Sequence, residues 1–158
     1  MRINALAAAL MFPFAAPAAL WLDVPFVKQG KNGCGPATIS MVLAYWRGGE
    51  IETPPGSGEE MYASEMERTF REAGFRVFTF QGDWSDLEQH LAKGRPLIVC
   101  LGKSRHYVVV TGLDSERALI SVNDPAQRKL LQLHRKAFEQ DWSASGRWTL
   151  LALPPSKQ

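Results

Sequence analysis

A cysteine, a histidine, a carboxylate and a glutamine are spaced along this chain in a way that suits acyl transfer through a thiol. Cys34 lies in Gln29-Gly30-Lys31-Asn32-Gly33-Cys34-Gly35-Pro36-Ala37, between glycines that let another chain approach closely. His106 opens the run Arg105-His106-Tyr107-Val108-Val109-Val110, and Asp124 stands in Asn123-Asp124-Pro125-Ala126. A thiolate can attack a peptide carbonyl while an imidazole, with an unperturbed pKa near ~6.5, shuttles the proton. A carboxylate on one ring nitrogen orients the other toward the sulfur, and the Gln29 amide can donate to the oxyanion. Taken singly, each feature has a bland explanation. A free Cys is usually packing, and an Asp before Pro is a common turn starter. Their occurrence together, with a glutamine ahead of the cysteine, favours chemistry.

The surrounding elements must then position these groups. Thr38, Met41, Val42 and Tyr45 recur at helical spacing, and Ile39, Leu43, Ala44 and Trp46 make most other faces apolar, which predicts a buried helix. Pro36 suits its first turn, where a missing N–H is harmless. Cys34 is therefore expected at a helix N-terminus, where unpaired N–H groups and the dipole favour the thiolate. Trp21 to Val27 reads as an extended segment leading into the Gln29 loop, and residues 53–58 as a Pro/Gly/Ser-rich loop suited to a cleft rim.

Two capping-box pairs, Ser64 with Glu67 and Ser85 with Glu88, predict helices closed by Gly74 and Gly94, with Phe75–Phe80 as a strand between them. His90 falls among charged residues and reads as solvated surface. Pro96–Leu101, Tyr107–Thr111 and Ala118–Val122 read as strands whose short links require antiparallel pairing. Leu130–Leu133 predicts another strand, Arg135–Trp142 a turn or two of helix, and Trp148–Leu153 a last strand. The expected architecture is α+β, helices first and then an antiparallel sheet packed on them.

In that arrangement the start of the His106 strand lies beside the end of the Asp124 strand. Asp114 and Asn123 are rival orienting groups, and His134 a weaker rival base. Cys100 sits in the apolar run Pro96-Leu97-Ile98-Val99-Cys100-Leu101 and reads as core, leaving Cys34 as the free thiol rather than a disulfide partner.

The 158 residues suit one domain, and the 46% hydrophobic content suits a globular one. A net charge of +2, without a basic run, argues against nucleic acid. No glycine-rich phosphate loop, CxxC or HExxH spacing occurs, so neither cofactor nor metal is expected. Residues 1–19 have a signal-peptide shape: Arg2, an Ala/Leu-rich stretch through Met11 and Phe12, then Ala16-Pro17-Ala18 before a cut near Ala18 or Ala19. The expectation is export to the periplasm or beyond. An uncleaved anchor is the alternative, but the apolar run is too short and Pro-interrupted for a stable membrane span.

Gln29…Cys34-Gly35-Pro36-Ala37, His106-Tyr107-Val108-Val109 and Asn123-Asp124-Pro125, behind the lead-in Val-Pro-Phe-Val-x-Gln, occur in one order. In this the chain, over residues 22–153, resembles the bacteriocin-processing, double-glycine leader peptidases, papain-like cysteine peptidases often found at the N-terminus of ABC exporters. The resemblance implies a papain-like fold, Cys34 as nucleophile, His106 as base, Asp124 as orienter, Gln29 as oxyanion donor, and cleavage after a Gly-Gly pair in a peptide or protein substrate. Unlike the exporter-linked members, this chain is expected to be a stand-alone peptidase domain, with an exporter partner left open. Two other activities fit the same residues: an amidase or acyltransferase on cell-wall or small peptides, and a non-catalytic peptide-binding module.

Overall fold

A computed structural model describes residues 19–31, 33–52 and 60–156. The expected signal segment, up to residue 18, and the loop 53–58 lie outside the described residues.

The sheet is built on a run in which every residue is apolar. Leu97–Leu101 (β3) forms a hairpin with His106–Asp114 (β4), pairing Leu97 with Val110 through to Leu101 with His106. Alternate side chains of a strand leave opposite faces. Ile98, Cys100, Tyr107 and Val109 join one buried cluster, and Leu97, Val99, Val108 and Val110 join another. Both faces are therefore covered, which explains why β3 reads as continuous apolar sequence rather than alternation.

The first cluster is completed by Cys34–Trp46 (α1) and Ala63–Glu72 (α2), the second by Trp84–Ala92 (α3) and Arg135–Ala144 (α4). The α+β expectation holds, with the sheet sandwiched between helix layers rather than packed on one side.

The remaining strands are Ala19–Trp21 (β1), Arg76–Gln81 (β2), Leu119–Asn123 (β5), Leu131–His134 (β6) and Trp148–Leu153 (β7). Their order is β2-β7-β3-β4-β5-β6, with β1 on β4, and every pairing is antiparallel. The order does not follow the chain: β2 stands at the edge beside the last strand. β4 extends past the expected Thr111 because β1 takes over as its partner where β3 stops. Gly112 permits this, since a Cβ there would lie 2.6 Å from the Leu20 carbonyl oxygen.

Helix ends follow local chemistry, with two corrections. α2 starts before Ser64: Tyr62 is its N-cap, and the Glu65 carboxylate accepts from the Tyr62 N–H at 2.8 Å. α3 is capped by Asp83 and Asp86, each carboxylate accepting the other's backbone N–H at 2.9 Å, and not by Ser85 and Glu88. Glu88 instead accepts from Trp84 Nε1 and Ser115. α2 closes as expected at Gly74, whose φ of 87° suits glycine. There the Phe75 N–H reaches the Phe70 carbonyl and the two rings pack at 6.0 Å, the hydrogen bond and apolar contact of a Schellman end. His90 is half-buried against Phe80 with Nδ1 unpartnered, and burial lowers its pKa. It is not the solvated surface residue expected from its charged neighbours.

Candidate active site

Cys34 is the first residue of α1, behind the N-cap Gly33, and no side chain caps this end. The leading N–H groups are thus free to face an anion. Gly35 has a packing reason beyond close approach by a substrate: a Cβ there would lie 2.9 Å from Met61 Cβ. The thiol is half-exposed and faces the His106 imidazole, with the backbone N–H groups of Tyr107 and Gly35 near enough to favour its thiolate. Neither backbone donor is apparent from residue types, since both arise from chain placement.

β4 and β5 deliver the other two groups. Val109 pairs with Asn123, so the start of β4 lies beside the residue that follows β5. His106 Nε2 donates to Asp124 Oδ1 at 2.8 Å, which leaves Nδ1 for the sulfur. The Asp124 side chain is 5% exposed. It also accepts from the Ala126 N–H at 2.9 Å and from Gln127 Nε2 at 2.8 Å. Gln127 escaped sequence reasoning, although its position in the Asp-Pro turn was a usable signal. The structure thus brings Cys34, His106 and Asp124 together, with His106 bonded to Asp124 and close to Cys34.

Gln29 is held by its backbone, whose N–H donates to the Pro125 carbonyl at 2.9 Å. Its side-chain Oε1 is buried without a partner among the described residues. The rival groups stand elsewhere. Asn123 is engaged with the backbone instead: Nδ2 donates to the Val24 carbonyl, and Oδ1 accepts the Leu130 N–H. Asp114, at the far end of β4, accepts from the Arg117 N–H, and His134 is the N-cap of α4. Cys100 is buried, and both cysteines are free.

The charges are distributed accordingly. Burial pushes the Cys34 thiol up, but the His106 hydrogen bond and charge, with the two backbone N–H groups, outweigh it and lower its pKa. The hydrogen bond to Asp124, and then that to Cys34, raise His106 to about 9 against the opposing effect of burial. Burial also works against ionised Asp124, yet His106, Ala126 and Gln127 keep its pKa below the usual value. Cys100 moves the other way, its thiol raised by burial. All three shifts favour a thiolate beside an imidazolium backed by a carboxylate, an arrangement suited to a nucleophile with its own proton donor.

A family model described as Peptidase_C39 like matches residues 56–149. The chain belongs to the C39-like peptidase family. It is a papain-like cysteine peptidase. The matched span of this C39-like chain holds His106 and Asp124, while Gln29 and Cys34 precede it. Among solved structures it is similar to the peptidase domain of Streptococcus ComA, a bifunctional ABC transporter involved in quorum sensing. That likeness has a TM-score of 0.66 at 20% identity, over 83% of this chain and 98% of that one. It is also similar to a double-glycine-motif protease from an AMS/PCAT transporter in complex with its leader peptide, with TM-score 0.67 at 21% identity over 85% and 94%. Both likenesses show the fold. No curated protein sequence matches the chain. Among the described residues, no helix is long and apolar enough to cross a membrane, and no cluster of three or more His, Cys, Asp and Glu suited to a metal occurs.

Proposed function

We propose that this C39-like peptidase cleaves peptides by attack of the Cys34 thiolate, and that its substrate is a leader peptide cut after a Gly-Gly pair. The observation that carries the catalytic assignment is the single imidazole bonded to Asp124 at 2.8 Å and standing near enough to Cys34 to lower the thiol's pKa. The leader-peptide reading draws on the fold likeness to a protease solved with such a peptide.

The thiolate adds to the carbonyl carbon, and the oxygen takes up the negative charge. The Cys34 N–H, at the helix terminus, and the Gln29 side-chain amide stabilise that oxyanion. His106 gives its proton to the departing amine as the C–N bond breaks and a thioester forms. It then removes a proton from water, which adds to the thioester carbonyl, and it reprotonates the sulfur as the acid product leaves. Asp124 holds the imidazole orientation throughout.

Export of the chain belongs to the same proposal and draws on residues 1–19 alone. A cut after Ala18 leaves β1 whole.

Mass spectrometry after incubation with a Gly-Gly leader peptide, with a muropeptide as comparison, tests the substrate. The expected result is a cut after the second glycine that Cys34→Ala abolishes while the protein stays folded. Full hydrolysis by Cys34→Ala would overturn the nucleophile assignment, and a cut in the muropeptide alone would overturn the substrate.

A further inference from the structure

A cavity of about 300 Å³ is lined by Cys100, Lys103, Arg105, Tyr107, Ser145 and Trp148, among others. We propose that it is a substrate subsite for a carboxylate, read by Lys103, Arg105 and the Tyr107 hydroxyl; the proposal rests on the peptidase reading above. Cys34 is near enough for its charge to act on Cys100 and Tyr107, both of which line the cavity, so this wall stands within reach of the reacting sulfur. Its volume is at the lower end of the roughly 300–1,000 Å³ of small-molecule pockets, which suits one or two residues of a peptide. A glycine leaves such a space unfilled, so the residue it takes is not one of a Gly-Gly pair.

The lining sets the chemistry. None of its residues is acidic, two are cations, and neither Lys103 nor Arg105 forms an ion pair with a described residue. Glu60 is near enough for its charge to act on Tyr107, yet it does not line the cavity. Arg105 has φ 55°, uncommon outside glycine, and its guanidinium stacks over the Tyr62 ring at 5.0 Å. That stacking orders a long side chain, so less freedom remains to be lost when a carboxylate binds. Tyr107 is 4% exposed, and no described residue hydrogen-bonds its hydroxyl. That hydroxyl is free to donate to a bound carboxylate. Tyr107 and Trp148, packed edge to face at 5.4 Å, give the side chain's methylenes an apolar wall.

The carboxylate can belong to an acidic side chain or to a chain terminus, and the test separates the two. Peptides identical except for Glu, Gln or Lys at each position around the cut bond are made as C-terminal acids and as amides. The expected result is a kcat/KM preference for Glu over Lys at one position of roughly fivefold or more, the upper end for a partly exposed ion pair, shrinking at high salt. A preference carried by the terminal acid over the amide would support the subsite with the chain end as ligand. Lys103→Glu, in an exposed turn, should erase or invert the preference, and Arg105→Gln should weaken it. Each is read as a ratio within one enzyme, so an overall loss cancels. Equal rates for Glu and Lys and for acid and amide, or a ratio that survives both substitutions together, overturns the subsite. The same peptides carrying an iodoacetyl group label Cys34 without turnover. If nothing is hydrolysed, the peptidase reading fails while the labelling ratio still decides the subsite.

Discussion

The backbone N–H of Gln29 donates to the carbonyl of Pro125 at 2.9 Å, tying the loop ahead of Cys34 to the residue after Asp124. One turn thus positions both the imidazole's carboxylate partner and the glutamine proposed to hold the oxyanion. A second tie runs alongside, from Asn123 Nδ2 to the Val24 carbonyl at 3.0 Å.

Because the tie to Pro125 uses backbone atoms, Gln29→Ala keeps the loop in place and removes only the side-chain amide. Turnover should fall by about 10²–10³, the typical loss for one oxyanion donor. Alkylation of Cys34 by iodoacetamide should continue at the wild-type rate. An unchanged kcat alongside unchanged labelling would remove Gln29 from the mechanism.

The pH profile follows from the charged pair. Activity should rise on the acid side as Cys34 loses its proton at a lowered pKa, and fall on the alkaline side as His106 deprotonates at about 9. Asp124 is the first cause of the His106 elevation, so Asp124→Asn should move the alkaline limb to lower pH and reduce kcat. The kcat/KM profiles of the two proteins check this, and coincident alkaline limbs would contradict it.

Stability should respond to pH in a less obvious way. Between ~6.5 and about 9, folded His106 keeps a proton that the unfolded chain has lost, so its own stabilisation declines as pH rises. Folded Cys34, its pKa lowered, gives up its proton earlier than the unfolded chain, which retains it until near ~8.5, so its contribution grows with pH. The two slopes oppose one another, because folding largely moves one proton from sulfur to nitrogen. Urea midpoints of the wild type should therefore vary little over this window. Those of Cys34→Ala, with the His106–Asp124 pair intact, should drop as pH rises through it.

Two packing substitutions probe the scaffold. Gly35→Ala brings a Cβ to within 2.9 Å of Met61 Cβ, and overpacking of this kind costs about 1–3 kcal/mol. It should also slow Cys34 labelling, since Gly35 gives the sulfur one of its N–H bonds. Asn123→Ala strips partners from the buried Val24 carbonyl and the Leu130 N–H, a loss of about 1–3 kcal/mol by denaturant titration.

Much of this was legible in residue order because the signals are local. Trp148–Leu153 is a short apolar run and is β7; a helix opens at Cys34 where a glycine precedes an apolar helical run; Gly74 and Gly94 close helices by adopting positive φ. The choice of Asp124 over Asn123 was open in the sequence and is decided by contacts. Asn123 faces inward and is used up by two backbone groups, while Asp124 is one residue further along and faces His106.

What the sequence by itself determined were the elements and the residue types able to do chemistry, because helical and strand periodicity and capping act over a few residues. The tertiary structure decided which strands neighbour one another, that β2 stands beside β7, and that helices cover both sheet faces. It alone brought the backbone N–H of Tyr107 and the amide of Gln127 to the sulfur and the carboxylate. Every side chain has the same backbone donors, and only packing between chain-distant segments selects the few that converge on one thiolate.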